Sequence, residues 1–349
     1  MASELDRLLM PRRWGGYGVD DWMMLVDVVG EVARVCGSSG WCFCFLMHHH
    51  WVLGCLPEEA QAEVYQIDKR PRIATSFAPM GTLSRVNGGY RLSGEWSWGS
   101  GGDHCNFAIL GAPILPHQGS GPPELRFVLL CPGEFTMRDV WNSVGLKGSG
   151  SNNIVVKDVL IPEHRTLNMA DFVEGKSPGA RVNDGLLFHQ PGFAAFAFGI
   201  MSPLLGMARG ALDAFVQFTR SRVNLFSGEQ VAQLAPIQRK IGESAAEIDT
   251  AYTIANRINT MLRTELPLTK EQRIGARRDF AFASRLVLRA VDRLFEAGGA
   301  RGLDEGHPLQ RFWRDTHAAA NHAVFVYEPL YEAYGRHLLG LPPAPGIVF

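Results

Sequence analysis

The chain has 349 residues, of which 46% are hydrophobic and 20% are charged, an ordinary composition for a globular protein of roughly two or three domains. The formal net charge is -1, from 34 basic and 35 acidic residues. No long basic run occurs, so nothing in the sequence indicates an electrostatic surface for nucleic acid.

The opening residues, MASELDRLLMPRR, carry charges where a signal peptide would have its apolar core, so we expect no secretory signal. The longest apolar stretch, at about 41–56, is interrupted by three histidines and is too short for a membrane span. The six cysteines form no CxxC pair and are typical of reduced, mostly buried thiols in a cytoplasmic protein.

A run of helices is predicted near the N-terminus. The segment DDWMMLVDVVGEVARVCG has apolar residues at helical spacing and stops at Gly37. A second helix is expected from about Ser39 to Leu56, with Ser38 or Ser39 as its N-cap. PEEAQAEVY then begins a short third helix, with Pro57 in its first turn.

Three consecutive histidines, His48, His49 and His50, lie inside the second of these helices. A metal held by one helix needs ligands at i and i+3 or i+4, which share a face. Consecutive helical positions rotate by about 100°, so the three rings point in different directions and we expect no metal site. Polar residues at a helix end or an interface are the simpler interpretation, and at most one or two rings can face any one pocket.

Residues 72–165 change in character. The runs RIATSFAP, GGYRLSGEWSWGS, NFAILGAP, LRFVLLCP and NNIVVKDVLIP are short and β-rich, with turns at NGG, GSGG and PG. No helical pattern of about 10–15 residues lies between them. A compact β domain without βαβ units is therefore expected.

Residues 190–340 return to long, periodic helical segments. The last of these is expected to cover about 308–338, with Pro329 kinking it or ending its first part. The predicted fold class is α+β in three regions: a helical N-terminal region over 1–70, a β domain over 71–166 and a C-terminal helical bundle over 167–349.

No strand–GxGxxG–helix fingerprint occurs, and no GxxxxGK[ST], GxSxG, HExxH or EF-hand loop. The glycine-rich GLKGSGS is followed by a strand, NNIVVKDVLIP, where a dinucleotide site needs a helix N-terminus. We therefore expect no Rossmann site for NAD(P)H.

Several segments together resemble one family: GGYGVDDWMMLVDVVGEVARVCGSSGW, RIATSFAPMG, GGYRLSGEWSWGSGGDH, VWNSVGLKGSGSNNIVVKDVLIPEHR, VDRLFEAGGA and LQRFWRDTHAAANH. Over nearly the whole chain, the sequence resembles the oxygenase components of two-component flavin-dependent monooxygenases, which have the acyl-CoA dehydrogenase fold. The likeness is closest to the group of the 3-hydroxy-9,10-secoandrostatriene-dione 4-hydroxylase and 4-hydroxyphenylacetate 3-hydroxylase oxygenases. Relatives carry further helical sequence before the segment matching LLMPRRWGG, so the N-terminal region is expected to be shortened here.

The resemblance implies a reaction with reduced flavin, FMNH2 or FADH2, that a separate NAD(P)H:flavin reductase supplies. In such enzymes the flavin reacts with O2 to give a C4a-hydroperoxide, which the protein shields from water and places beside an aromatic, phenolic or polycyclic substrate. The lack of a Rossmann site fits this scheme, since NAD(P)H need not bind here. The resemblance also implies a homotetramer built through the C-terminal helices, with flavin near subunit interfaces.

On the β domain, the resemblance places GEWSWGSG along the flavin ring. Ser100 matches the position that hydrogen-bonds near flavin N5, and Gly99 and Gly101 let the backbone approach the ring. Trp96 and Trp98 match positions that wall the ring. Cross-strand aromatic packing is the alternative for both tryptophans.

His322 matches the catalytic histidine of the family, a type suited to act as general base toward a phenol. The alternative is a histidine satisfied inside a helix bundle, and His317 would lie on another helix face. His49 matches a histidine that faces the substrate. Trp141 matches a substrate-binding position, and Ser151 matches a position near the flavin.

Arg220 and Arg222 match a region in which an arginine reaches the flavin phosphate of a neighbouring subunit, as suits a guanidinium. The spacing does not choose between them. The turn at Gly298 and Gly299 matches a segment that approaches the same phosphate.

Two alternatives stay open. Acyl-CoA dehydrogenases share the fold and use a late glutamate as base, but counting from RD at 314–315 puts that position near His322, whereas Glu328 lies more than a turn beyond it. The other alternative is a catalytically silent relative, motivated by the short N-terminal region.

Overall fold

Three helices come first in the computed structural model of the protein, which describes residues 4–114, 123–342 and 344. They are α1 (Trp22–Ala33), α2 (Gly37–Cys55) and α3 (Glu58–Ile67). The second predicted helix is confirmed, but the prediction of its N-cap was wrong, because the cap position is Cys36. The helix begins early where Gly37 packs closely on later helices: a Cβ there would lie 2.5 Å from Met207 Sδ.

A single eight-stranded sheet follows within the described residues. Its strands are β1 (Ile73–Ser76), β2 (Thr82–Val86), β3 (Gly89–Gly99), β4 (Phe107–Ile114), β5 (Glu124–Leu130), β6 (Thr136–Arg138), β7 (Asn152–Ile161) and β8 (Thr166–Asn168). The order is β6-β7-β3-β2-β4-β5-β8, and β1 pairs in parallel with β4. Only 3-10 turns and loops separate the described parts of these strands, so the expectation of a β region without βαβ units is confirmed there.

The sheet divides the protein interior into two cores. Along β4, Phe107 and Ile109 belong to the large core shared with the helices, whereas Ala108 and Leu110 belong to a smaller core on the other face of the sheet. This is the period-two alternation of a strand with both faces covered. The sheet therefore presents one face to α2, which lies between the sheet and the C-terminal helices.

The rest of the chain is mainly helical. Its helices are α4 (Met169–Glu174), α5 (Gly192–Arg220), α6 (Ala235–Thr264), α7 (Lys270–Gly298), α8 (Pro308–Ala320) and α9 (Tyr327–Leu338). By length and composition α5 is apolar enough to cross a membrane, but most of its apolar stretch is buried inside the protein, as in the core helix of a globular domain.

The last predicted helix is two helices, and the break does not come at Pro329. Helix α8 ends at Ala320, a 3-10 turn follows, and Pro329 lies in the first turn of α9, where a missing N–H costs no hydrogen bond. His322 precedes the 3-10 turn as its N-cap. The interruption therefore takes His322 out of regular helix and turns it toward α2.

Candidate active site

One face of α2 carries three rings spaced four residues apart: Trp41, Phe45 and His49. The Trp41 and Phe45 rings meet edge to face with centroids 5.1 Å apart, and Phe45 stacks on His49 at 5.0 Å. The spacing puts them on one side of the helix, one turn after another. We call these three residues the aromatic row.

The end of β3 turns toward this row. Trp96 pairs with Ile154 but Gly99 pairs with Asn152, so β3 carries one extra residue, a β-bulge. Bulges re-aim a strand, and here Trp98 takes a positive φ of 69°. Ser100 follows the bulge.

The Ser100 hydroxyl lies against the aromatic row. The indole N–H of Trp41 donates to Ser100 Oγ at 2.9 Å. The next residue, Gly101, has a φ of 67°, in the left-handed region that glycine tolerates. Its N–H donates to the carbonyl oxygen of Ser149 at 2.8 Å, which ties this turn to the loop before β7.

Three hydroxyls continue inward from this point. Ser100 Oγ lies 2.8 Å from Ser151 Oγ, which lies 2.7 Å from Ser149 Oγ. Ser151 and Ser149 are buried, with 2% and 1% of their surface exposed. We call Ser100, Ser151 and Ser149 the hydroxyl chain.

His322 lies on the other side of Trp41, with ring centroids 6.1 Å apart. Its Nδ1 accepts the Val324 N–H at 3.2 Å, so a neutral ring carries its proton on Nε2. The side chain is partly accessible. Burial of the ring, and then the nearby positive charge of Arg277, lower the pKa of His322 to about 4. His322 is therefore neutral at pH 7 and offers a donor.

Both ring nitrogens of His49 are engaged. Nδ1 lies 2.6 Å from the carbonyl oxygen of Ile73, which only accepts, so this nitrogen carries the proton. Nε2 then accepts the hydroxyl proton of Thr75 at 2.9 Å. Burial lowers the pKa of His49 to about 4. The oxygen of Thr75 keeps lone pairs free, so Thr75 rather than His49 offers the next hydrogen-bonding atom.

The other two histidines point elsewhere. His48 packs edge to face on Trp51 and Phe196, and among the described residues neither of its nitrogens has a hydrogen-bond partner. His50 Nδ1 lies 3.1 Å from the Tyr65 hydroxyl. Within residues 4–114, 123–342 and 344, no group of three His, Cys, Asp or Glu side chains is placed to hold a metal.

The predicted tryptophans separate into two environments. Trp96 is fully buried in the smaller core, where its indole N–H donates to the Gly111 carbonyl at 2.6 Å, so the geometry favours packing over a flavin wall for this residue. Trp98 is 63% exposed, and its ring lies 6.2 Å from that of Trp141. Trp98 and Trp141 form an accessible aromatic pair two residues from Ser100.

The predicted phosphate residues lie together at the far end of α5. Arg222 Nη1 donates to the Ala297 carbonyl at 2.9 Å, and a Cβ on Gly299 would lie 3.2 Å from Arg222 Nη2. Gly298 is the buried last residue of α7 beside them, whereas Arg220 is exposed. Of the two arginines, Arg222 is the one that the structure brings to the Gly298–Gly299 turn.

The sequence interpretation missed Trp41, Thr75 and Ser149. Each lies in a segment that carried the family resemblance, GSSGW, RIATSFAPMG and GLKGSGSNN, but no local spacing distinguishes them from core or loop residues. Their significance comes from contacts between α2, β1 and the loop before β7, which are distant in sequence.

The arrangement fits a flat heteroaromatic cofactor. A glycine in the left-handed region permits close backbone approach, a half-buried hydroxyl supplies both a donor and an acceptor, and the exposed Trp98, whose ring contacts the partly buried Trp141, lies beside them. The neutral His322 contacts the ring of Trp41, whose indole N–H binds Ser100.

Comparisons with known proteins show which family the chain resembles. The family model described as Acyl-CoA dehydrogenase, C-terminal domain, matches residues 198–327. The oxygenase subunit HsaA of a flavin-dependent monooxygenase from Rhodococcus jostii is 37% identical, covering 96% of this chain and 88% of its own. The oxygenase component of the FADH(2)-dependent resorcinol hydroxylase from Rhizobium sp. is 33% identical, covering 96% and 85%. The crystal structure of 3-HSA hydroxylase from Rhodococcus sp. RHA1 superposes with a TM-score of 0.89 at 36% identity, covering 97% and 88%.

The protein thus has an acyl-CoA dehydrogenase-like fold. More narrowly, the chain belongs to the family of oxygenase components of flavin-dependent monooxygenases, which are two-component oxidoreductases. The family resemblance in the sequence is confirmed.

Proposed function

We propose that this oxygenase component hydroxylates a phenolic aromatic compound, using O2 and reduced flavin, FMNH2 or FADH2, from a separate NAD(P)H:flavin reductase. The observation that carries the proposal is the position of Trp41. Its indole N–H donates to Ser100 at 2.9 Å and its ring lies 6.1 Å from that of His322, so the end of β3 that we propose to face the flavin lies close to a neutral histidine.

Reduced flavin, when bound, activates O2 so that one oxygen atom can be inserted into the aromatic ring. The residues proposed to hold it are Ser100, Gly101 and Ser151 on the hydroxyl-chain side and Trp98 beside them. Their hydrogen bonds to one another set this surface before the cofactor arrives, which limits the reorganisation that binding requires.

We propose that His322 binds the phenolic oxygen through Nε2–H instead of acting as a general base there. With a pKa of about 4 it is a weak base at pH 7, and its Nε2 already carries the proton, because Nδ1 accepts the N–H of Val324. Burial, and then the positive charge of Arg277, lower the pKa of His322. The charge of Arg277 would in addition attract an ionised phenol.

The opposite end of the aromatic row offers a second contact. His49 fixes the Thr75 hydroxyl, whose oxygen can accept a hydrogen bond from a substrate hydroxyl. Trp141, the other residue proposed to bind substrate, contacts the ring of Trp98. Between these groups lie the rings of Phe45 and Trp41, which suit contact with a flat apolar substrate.

We further propose a cytoplasmic homotetramer in which Arg222 serves the flavin phosphate of a neighbouring subunit. Helix α5 contacts His322 through Phe196 and ends at Arg220, which lies 24 residues, or roughly 36 Å, further along the helix. The end of α5 next to Arg222 is therefore far from the His322 site of the same subunit. Beyond Arg222, the loop exposes Leu225 at 82% and Phe226 completely. Apolar side chains held in water in this way are typical of an interface.

An acyl-CoA dehydrogenase activity is not favoured, because Glu328 is exposed in the first turn of α9 and His322 occupies the site. The test is anaerobic loading with FADH2 or FMNH2, followed by mixing with oxygenated buffer and single phenols. Mass spectrometry with 18O2 should show one labelled oxygen in the product. Bleaching of oxidised flavin by an acyl-CoA without oxygen would instead establish a dehydrogenase, and the absence of both reactions would establish a silent relative.

A further inference from the structure

The loop between β6 and β7 rests directly on helix α8. Arg314 of α8 donates from Nη1 to the carbonyl oxygen of Val144 at 2.7 Å. The next loop residue, Gly145, approaches the helix so closely that an added Cβ would lie 2.1 Å from the carbonyl oxygen of Arg314. Leu146 follows, and its N–H donates to Oδ1 of Asp315 at 2.6 Å. Three successive loop residues therefore lie against two successive residues of α8.

Leu146 has a backbone conformation that residues with a side chain rarely adopt. Its φ of 51° and ψ of 34° lie in the left-handed region. Such a conformation has an energetic cost and persists where the surrounding structure holds it. The hydrogen bond to Asp315 is buried, so water does not readily replace the carboxyl group as acceptor. Asp315 therefore helps to hold Leu146 in its left-handed conformation.

The carbonyl group of Leu146 in turn orients Trp141. The indole N–H of Trp141 donates to the carbonyl oxygen of Leu146 at 3.0 Å. The ring of Trp141 contacts that of Trp98, with centroids 6.2 Å apart. Leu146 presents its N–H to Asp315 and its carbonyl oxygen to Trp141, so a single residue connects the carboxyl group to the indole.

Asp315 is a buried carboxyl group, with 5% of its surface exposed. Burial raises the pKa of this carboxyl, although the Leu146 N–H and the charges of Arg314 and Arg311 act in the opposite direction. Among the described residues its side chain accepts one hydrogen bond, the one from Leu146. A polar group at a buried position needs such a bond to offset its lost hydration, and here the bond comes from the loop that carries Trp141.

We propose that Asp315 is a positioning residue that, through Leu146, orients Trp141 for the aromatic substrate. This rests on the proposed function, in which Trp141 binds substrate. Helix α8 ends at Ala320 and leads into the turn that His322 caps. The helix that precedes His322 thus also fixes Trp141, so two proposed substrate contacts from different regions of the chain are held by one element.

Removal of the carboxyl group should weaken substrate binding more than flavin binding. Asp315→Ala leaves the buried N–H of Leu146 without its partner and releases the left-handed backbone. The substrate must then order the Trp141 ring itself, at a cost to binding. The dissociation constant of a phenolic substrate should rise about tenfold. That of FADH2 should change little, because the N–H of Gly101 keeps its own hydrogen bond to the Ser149 carbonyl.

Equilibrium titrations, anaerobic for FADH2, measure both constants in matched variants. Asp315→Asn keeps an acceptor oxygen for the Leu146 N–H and should restore substrate binding. Thr316→Ala is the control: this next residue of α8 is fully buried, and its hydroxyl makes no hydrogen bond among the described residues. Trp141→Phe keeps a ring but removes the donor to Leu146. It should also weaken substrate binding, which tests the connection even where Asp315→Ala does not fold.

A Trp141→Ala background separates this connection from a general effect on the fold. With no ring to position, Asp315→Ala should add nothing to the substrate dissociation constant there. A full rise in that background, or native substrate binding by Asp315→Ala or by Trp141→Phe, would overturn the inference and leave the proposed hydroxylation standing. Native substrate binding by Trp141→Ala would instead remove Trp141 from the proposed substrate site, and the inference would fall with it.

Discussion

His49 and Thr75 form a pair in which the imidazole is the acceptor: the Thr75 hydroxyl donates to Nε2 at 2.9 Å because Nδ1 is already protonated toward the Ile73 carbonyl. The tautomer of His49 is thereby set by the backbone of β1. A histidine that looks like a direct substrate ligand in the sequence instead orients a hydroxyl, and that hydroxyl is the group left with capacity to bind.

The first prediction concerns this hydroxyl. Thr75→Val keeps the side-chain shape but removes the acceptor, so the dissociation constant of a phenolic substrate should rise about tenfold while flavin affinity stays unchanged. Equilibrium titration of the flavin-loaded protein measures both. Thr75→Ser is the matched control and should bind like the native protein. Equal binding by the valine variant would remove Thr75 from the substrate site.

The second prediction concerns His322. His322→Ala removes the donor proposed to hold the phenolic oxygen, so it should lower the yield of hydroxylated product per flavin oxidised by about 100-fold, while flavin oxidation continues and the oxygen is recovered as hydrogen peroxide. His322→Gln retains a side-chain donor and should keep part of the yield. Product and peroxide are measured together after a single turnover. Normal coupling in the alanine variant would exclude a role for His322.

The third prediction is the pH dependence of that step. Because burial and Arg277 lower the pKa of His322 to about 4, the ring stays neutral from pH 8 down to about pH 5. Single-turnover hydroxylation should therefore show no inflection near the ordinary histidine pKa, about 6.5. An inflection there that disappears in His322→Gln would show that His322 titrates as a base near neutrality.

The fourth prediction concerns stability at His48, which is buried among Trp51 and Phe196 and whose pKa burial lowers well below its ordinary value. Replacing this ring, which has no hydrogen bond among the described residues, by an apolar side chain in His48→Leu should raise the unfolding free energy at pH 7 by about 1 kcal/mol. Because the pKa of His48 is lower in the folded protein than in the unfolded chain, the unfolded chain binds the extra proton first as pH falls. The unfolding free energy is therefore unaffected by this group above pH 6.5 and decreases as pH falls from 6.5 toward the pKa of the folded state.

His48→Leu should therefore also reduce the loss of unfolding free energy in acid, by about 1.4 kcal/mol per pH unit below pH 6. Urea unfolding at pH 5 and pH 7 measures both effects. His50→Gln is the comparison, since His50 bonds Tyr65 and its replacement should destabilise the protein at pH 7. A destabilised His48→Leu protein would indicate an ordered partner at the ring nitrogens.

The fifth prediction concerns assembly. Phe226→Ser should shift the protein from tetramer toward smaller species, since it removes a completely exposed apolar side chain from the proposed interface. Light scattering after size exclusion measures this. Val35→Ser, at a side chain that is 72% exposed outside this loop, should leave the mass unchanged. An unchanged mass for Phe226→Ser would place the subunit contact elsewhere.

Much of the fold was predictable from local patterns. Helical periodicity located α1 and α2, and β-rich runs between glycine turns located β1, β3, β4, β5 and β7, because these signals depend on neighbours in the sequence. The short strands β2, β6 and β8 were not predicted. Exact ends were less predictable: α2 begins at Gly37, which packs closely on Met207 of α5, and α8 ends well before Pro329.

The sequence by itself determined the order of the structural regions, the family and the divergence of three consecutive histidines, since each depends on residue types and spacing along one element. Only the tertiary structure decided that Trp41 joins Ser100 to His322, that the Ile73 carbonyl holds His49 in one tautomer and that Trp96 belongs to a core. These relations depend on directional hydrogen bonds and ring contacts between α2, β1, β3 and the turn after α8. Local sequence does not encode such contacts, because the partners meet only when the sheet and the helices pack on each other.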